Sequence, residues 1–123
     1  MTAAAPACQR RHVPATDPLD RLEATIRARR SGDPASSYVA GLSARGRAHL
    51  ARKLGEEAVE TVVAALGDDP EALVAEAADL VFHLAVLLAD AGLGLDAVRA
   101  ELARREGVSG LDEKAARAKE PLP

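Results

Sequence analysis

The stretch KLGEEAVETVVAALGDDPEALVAEAADLVFHLAVLLAD, residues 53–90, decides how this chain folds. It contains two helix-period segments punctuated once, by Gly67, Asp68, Asp69 and Pro70. Before that break, Leu54, Val62 and Leu66 continue an apolar stripe that starts at Leu50. After it, Asp69 is an N-cap with proline at the first helical position, and Leu73, Ala77, Leu80, Leu84 and Leu87 carry the next helix to Gly92. So short a connection makes the two helices antiparallel neighbours. The second half of the later helix is apolar nearly all round, so every face must be covered, and a homodimer is expected.

Outward from this hairpin the chain reads as helices joined by breakers. Asp17 and Pro18 open a first helix through Leu19, Leu22 and Ile26 to about Arg30. Ser31 to Pro34 break it, and residues 35–42, with Ser36, Ser37 and Tyr38, are expected as a loop. Ser43 is expected to cap the long helix of the hairpin, in which Gly55 is an unfavourable residue. A further helix starts at Asp96 and stops at Gly107, and Ser109 opens a short basic segment through Arg117. The expected fold class is all-α: a four-to-five-helix bundle around a central antiparallel hairpin. Residues 1–16 are expected as a disordered tail, 17–119 as the domain, and 120–123 as a frayed end.

Composition agrees and narrows the function. Of 123 residues 48% are hydrophobic and only 2% aromatic, which favours helices over a sandwich or barrel. The formal charge of −3 and the scarcity of aromatics argue against a nucleic-acid surface. Cys8 is the single cysteine, which removes intrachain disulfides and cysteine zinc sites and fits a reducing cytoplasm. No signal-peptide core precedes Thr16, and the apolar run Leu80–Ala89 is short of the roughly 20 residues a membrane span needs.

Chemistry concentrates on the hairpin. Glu56, Glu57 and Glu60 crowd one helix at spacings of three and four, and Glu76 and Asp79 stand three apart on the next. Glu60 precedes the turn by about as many residues as Glu76 follows it, so the two acidic faces meet at one height. Like charges so placed destabilise a helix unless a cation offsets them, and oxygen ligands suit Mg²⁺ or Mn²⁺ better than zinc. Solvated acidic faces, with Lys53 paired to Glu56 or Glu57, are the alternative. No Glu-x-x-His pair exists, which disfavours a redox dimetal bundle. His83, within Leu80–Leu84, reads as a satisfied core or interface histidine and not a ligand. Arg104, Arg105, Lys114 and Arg117 around Ser109 and Gly110 could grip phosphate oxygens or form an ordinary basic tail.

Leu19 to Arg117 resembles the phosphoribosyl-ATP pyrophosphohydrolase family of the MazG-like all-α nucleotide pyrophosphohydrolase superfamily. The resemblance is carried by Asp33-Pro34 with Ser37-Tyr38, by Lys53-Leu54-Gly55-Glu56-Glu57-Ala58-Val59-Glu60, and by Glu76-Ala77-Ala78-Asp79-Leu80 with His83. It continues in Arg105-Glu106-Gly107-Val108-Ser109-Gly110 leading to Glu113-Lys114 and Arg117. It implies hydrolysis of 1-(5-phosphoribosyl)-ATP to 1-(5-phosphoribosyl)-AMP and pyrophosphate, the second step of histidine biosynthesis. It further implies Glu57, Glu60, Glu76 and Asp79 as metal ligands, with Glu56 a fifth ligand or a water-activating group. Lys53 would meet substrate phosphate, and Ser37, Tyr38, Arg105, Ser109, Lys114 and Arg117 would contact substrate. His49 stands where the family usually has lysine, which makes any phosphate contact there weaker or pH-dependent. The family implies phosphoribosyl-AMP cyclohydrolase as a functional partner. A pyrophosphohydrolase of free nucleoside triphosphates and a non-catalytic helical interaction module are the rival readings.

Overall fold

A computed structural model describes residues 17–108 and 110–118. The expected tail 1–16, the expected frayed end and Ser109 lie outside the described residues. Six helices follow one another: α1 (Pro18–Arg29), α2 (Tyr38–Ala44), α3 (Arg47–Ala65), α4 (Pro70–Asp90), α5 (Leu95–Arg104) and α6 (Gly110–Ala118). The described residues contain no strand. Two compact units divide between Leu93 and Gly94, so α1–α4 form one and α5–α6 the other.

Local chemistry explains the helix starts. Asp17 accepts the Leu19 N–H at 2.9 Å and Asp69 the Glu71 N–H at 3.0 Å, each with proline at the first helical position. Both caps satisfy a donor that the helix itself leaves open. The hairpin α3–α4 is the most extensive contact of the first unit, and α1 and α2 pack against α4. Ile26, Val39, Leu42, Leu50, Ala85 and Val86 form its core, with Phe82 and Leu22 packed on it. Asp90, at the end of α4, is gripped by Arg30 and Arg47, and Arg47 also donates to its backbone carbonyl at 3.2 Å. These contacts fasten the open end of the hairpin to α1.

Two expectations are corrected. Residues 38–42 are not loop: Ser37 Oγ accepts the Ala40 N–H at 3.2 Å, and α2 follows. Its buried Val39, Ala40 and Leu42 supply, through burial in the core, the stability that so short a helix lacks alone. Nor does Ser43 cap the long helix. Gly46 occupies that position with φ 92°, and the Ser43 hydroxyl is buried without a hydrogen-bond partner. The chain finishes α2 and restarts α3 within a left-handed turn that only glycine takes without strain. The helix expected from Asp96 to Gly107 is α5, which spans Leu95–Arg104.

Helix α4 spans 21 residues with a mean hydropathy of 1.9 over its most apolar window. By length and composition it could cross a membrane. Yet it carries Glu76, Asp79 and a buried His83, and three helices contact it.

Candidate metal centre and adjoining cleft

The carboxylates of Glu57 on α3 and of Glu76 and Asp79 on α4 converge, each offering one oxygen within 4.8 Å of the others. Glu60 stands near enough for its charge to act on both Glu57 and Glu76. The register that makes this possible is pinned by Thr61, whose hydroxyl lies 2.8 Å from the Glu57 carbonyl and 3.2 Å from the Glu76 carbonyl. Thr61 thus bridges α3 to α4 at the height of the carboxylates.

The cluster is electrostatically unsettled. Burial pushes the Glu57 carboxyl above its ordinary range, and the charges of Glu60 and Asp79 push it further. Glu76 is raised for the same reasons, burial first and Glu60 next. One oxygen of each, Glu57 Oε2 and Glu76 Oε1, is buried with no hydrogen-bond partner. Buried carboxylate oxygens without donors are costly, and an oxygen-ligated divalent cation is the group whose needs match theirs. The donor set fits the Mg²⁺ or Mn²⁺ that the sequence suggests.

Glu56 is not drawn into this cluster. It faces outward, held by Lys53 Nζ at 3.3 Å and Arg52 at 3.7 Å. Lys53 pairs with Glu56, as the alternative to metal binding supposed, while Glu57, Glu76 and Asp79 remain together. His83 is buried, 4% exposed, as expected of a core histidine, but it is not fully satisfied. Its Nε2 stands 3.6 Å from Glu57 Oε1 and its Nδ1 has no partner. Burial, then Lys53, lowers its pKa, so the ring is neutral near pH 7.

Beside the carboxylates a cleft of about 690 Å³ opens between the α1–α2 connection and α3. Ser36, Ser37 and Tyr38 line one side; Arg45, His49 and Lys53 line the other. Ser37 spends its oxygen on capping α2, so it shapes the cleft as well as lining it. The Tyr38 ring is 62% exposed and lies nearly parallel to Phe82, centroids 5.9 Å apart. Arg52 donates to His49 Nδ1 at 3.0 Å. Partial burial, then Arg45, Arg52 and Lys53, lowers the His49 pKa, so this position is uncharged at neutral pH. Sequence reading missed Arg45. The available signal was its spacing of four and eight residues before His49 and Lys53.

The remaining expected substrate contacts belong to the second unit. Arg105 and Arg104 both bind Glu101, at 2.9 and 2.7 Å, and hold its carboxyl down to about 2. Lys114 and Arg117 are exposed on α6.

An all-helical unit that sets four carboxylates across a helix hairpin, next to a basic cleft, has the architecture of a carboxylate-metal protein for anionic ligands. The model of the family described as phosphoribosyl-ATP pyrophosphohydrolase matches residues 19–106, and the chain belongs to that family. Curated relatives agree. A phosphoribosyl-ATP pyrophosphatase of Rhizorhabdus wittichii is 62% identical over 104 residues, covering 85% of this chain and 98% of the relative. One of Erythrobacter litoralis is 65% identical over 99 residues, 80% and 95% of the two chains. That of Rhodospirillum rubrum is 55% identical over 106 residues, 86% and 91%.

Proposed function

We propose that this chain hydrolyses 1-(5-phosphoribosyl)-ATP to 1-(5-phosphoribosyl)-AMP and pyrophosphate, as a Mg²⁺-dependent enzyme of histidine biosynthesis in the cytoplasm. The observation that carries the mechanism is the pair of buried, partnerless oxygens of Glu57 and Glu76, which converge with Asp79. Family membership and the names of the relatives support the substrate.

Glu57, Glu60, Glu76 and Asp79 would hold the cation, with Mn²⁺ as a substitute. When bound, it neutralises and orients the triphosphate and lowers the pKa of a water. Water oxygen bonds to phosphorus as the bridging P–O bond between α and β phosphates breaks. The family resemblance assigns acceptance of the water proton to Glu56, one residue from a ligand, which would have to leave its pairing with Lys53 and Arg52 to do so. Lys53, one helical turn before Glu57, presents its ammonium to phosphate oxygens and offsets charge on the departing pyrophosphate. Tyr38 and Ser37 would bound the substrate in the cleft, and the family resemblance assigns further phosphate contacts to Arg105, Ser109, Lys114 and Arg117. The exposed apolar face of the hairpin supports a homodimer, and phosphoribosyl-AMP cyclohydrolase would take the product.

The test is pyrophosphate release from phosphoribosyl-ATP with and without Mg²⁺, beside ATP and dUTP. Turnover of phosphoribosyl-ATP well above that of the others supports the reading. Equal or faster turnover of free nucleoside triphosphates overturns the substrate, and no release with any substrate overturns the activity.

A further inference from the structure

Arg45 is a cation in the cleft with which no carboxylate among the described residues pairs. Lys53, by contrast, is tied to Glu56, and Arg52 to Glu56 and His49. An arginine left unpaired in a concave site next to polar side chains is suited to a phosphate, which it can bind in bidentate fashion.

Its distance from the carboxylates decides which phosphate. Along α3, Lys53 precedes Glu57 by one turn, ~6 Å, and His49 by two turns or more, ~12 Å. Arg45 lies further back, in the turn between α2 and α3. The far end of the cleft is therefore separate from the carboxylate cluster. Under the proposed function, on which this inference rests, the substrate has two anionic ends. Its triphosphate and the 5′-phosphate of its second ribose are held apart by a purine with a ribose on each side. The exposed Tyr38 ring lines the same cleft, its parallel contact with Phe82 steadying it as a platform for a flat base.

We propose that Arg45, aided by His49, holds the phosphate of the second ribose and so selects phosphoribosylated nucleotides over plain ones. With the triphosphate at the carboxylate cluster and Lys53, the substrate lies along α3. A plain nucleoside triphosphate fills one end and leaves the Arg45 end empty. Arg45 is thus a specificity residue and takes no part in bond breaking.

Calorimetric binding of phosphoribosyl-AMP and AMP to the full chain and to Arg45→Gln tests this, because the two ligands differ by the ribose phosphate group. The expected result is about tenfold weaker binding of phosphoribosyl-AMP with AMP changed less than twofold. With phosphoribosyl-ATP as substrate, KM should rise by a similar factor while kcat stays within about twofold. Equal weakening of both ligands, or no weakening of either, overturns the proposal. Should Arg45→Gln fail to fold, His49→Lys adds a charge to the same end. A rise in the preference for phosphoribosyl-AMP over AMP then supports the assignment, and an unchanged preference overturns it. A wild-type chain inactive on phosphoribosyl-ATP would sink the proposed function. An active wild type with an unchanged preference in the variants sinks only this inference.

Discussion

At Glu60 and Asp79, activity and stability pull in opposite directions. Each carboxylate stands among like charges, so Glu60→Gln and Asp79→Asn relieve repulsion of a few tenths of a kcal/mol per helical pair. Each also removes an anionic oxygen from a hard cation. We expect both variants to retain less than about a tenth of wild-type turnover, a barrier increase above about 1.4 kcal/mol, yet to melt no lower than the metal-free wild type. Pyrophosphate assays beside thermal melts check this, and more residual turnover would remove that residue from the ligand set. The raised carboxyls of Glu57 and Glu76 add a pH signature. Above the ordinary value of 4.5, the native state holds protons that the unfolded chain has released. Their contribution to stability is therefore present at the acid side and lost as pH rises through the folded values. The lowered His83 acts oppositely up to 6.5. Comparison with Glu76→Gln separates the two: the variant's melting advantage over metal-free wild type should grow from pH 4.5 to 7.5. An advantage constant with pH would contradict the raised carboxyl. The acidic convergence was legible in the sequence because helical spacing and a hairpin turn are both local rules. Arg45 was not, since it reaches the cleft only through the doubling back of α2, which depends on burial of Val39 and Leu42.

Glycine distinguishes two kinds of position within α3. Gly46 has φ 92° and Gly55 lies inside the helix, while a methyl group added at either meets no atom within 4 Å. Only backbone conformation then separates them. Gly46→Ala should cost about 1–2 kcal/mol, because alanine is strained in the left-handed region. Gly55→Ala should stabilise by about 0.5–1 kcal/mol through lost freedom of the unfolded chain. Denaturant unfolding of both variants measures the difference, and a shared sign would contradict the assignment of Gly46 as the helix start. The helix starts at Asp17–Pro18 and Asp69–Pro70 were readable because cap and proline act within a few residues. The start at Gly46 was not, because Ser43 offers an equally good cap by residue type. Nothing local records that the Ser43 hydroxyl ends up buried.

For the whole molecule, the apolar surface is larger than one copy of the chain covers. On α3, Val59, Val62, Val63 and Leu66 are 59–83% exposed, and Val74 on α4 is 68% exposed. A patch of this kind is suited to an interface, and a second copy is the occupant expected from the apolar excess of α4. Light scattering at micromolar concentration should give a dimer for the wild type and a smaller species for Val63→Asp. A folded wild-type monomer would contradict this. The Glu57 and Glu76 carboxyls, raised by burial and by neighbouring charge, also hold protons on the oxygens a cation would need. A cation binds their deprotonated oxygens, so on the acid side, where they still carry protons, loading with Mg²⁺ should acidify a weakly buffered solution. The heat of loading should accordingly vary with the ionisation enthalpy of the buffer. Titrations in phosphate-free buffers of contrasting enthalpy would show this as a slope, and a slope of zero would mean that the carboxylates were already bare.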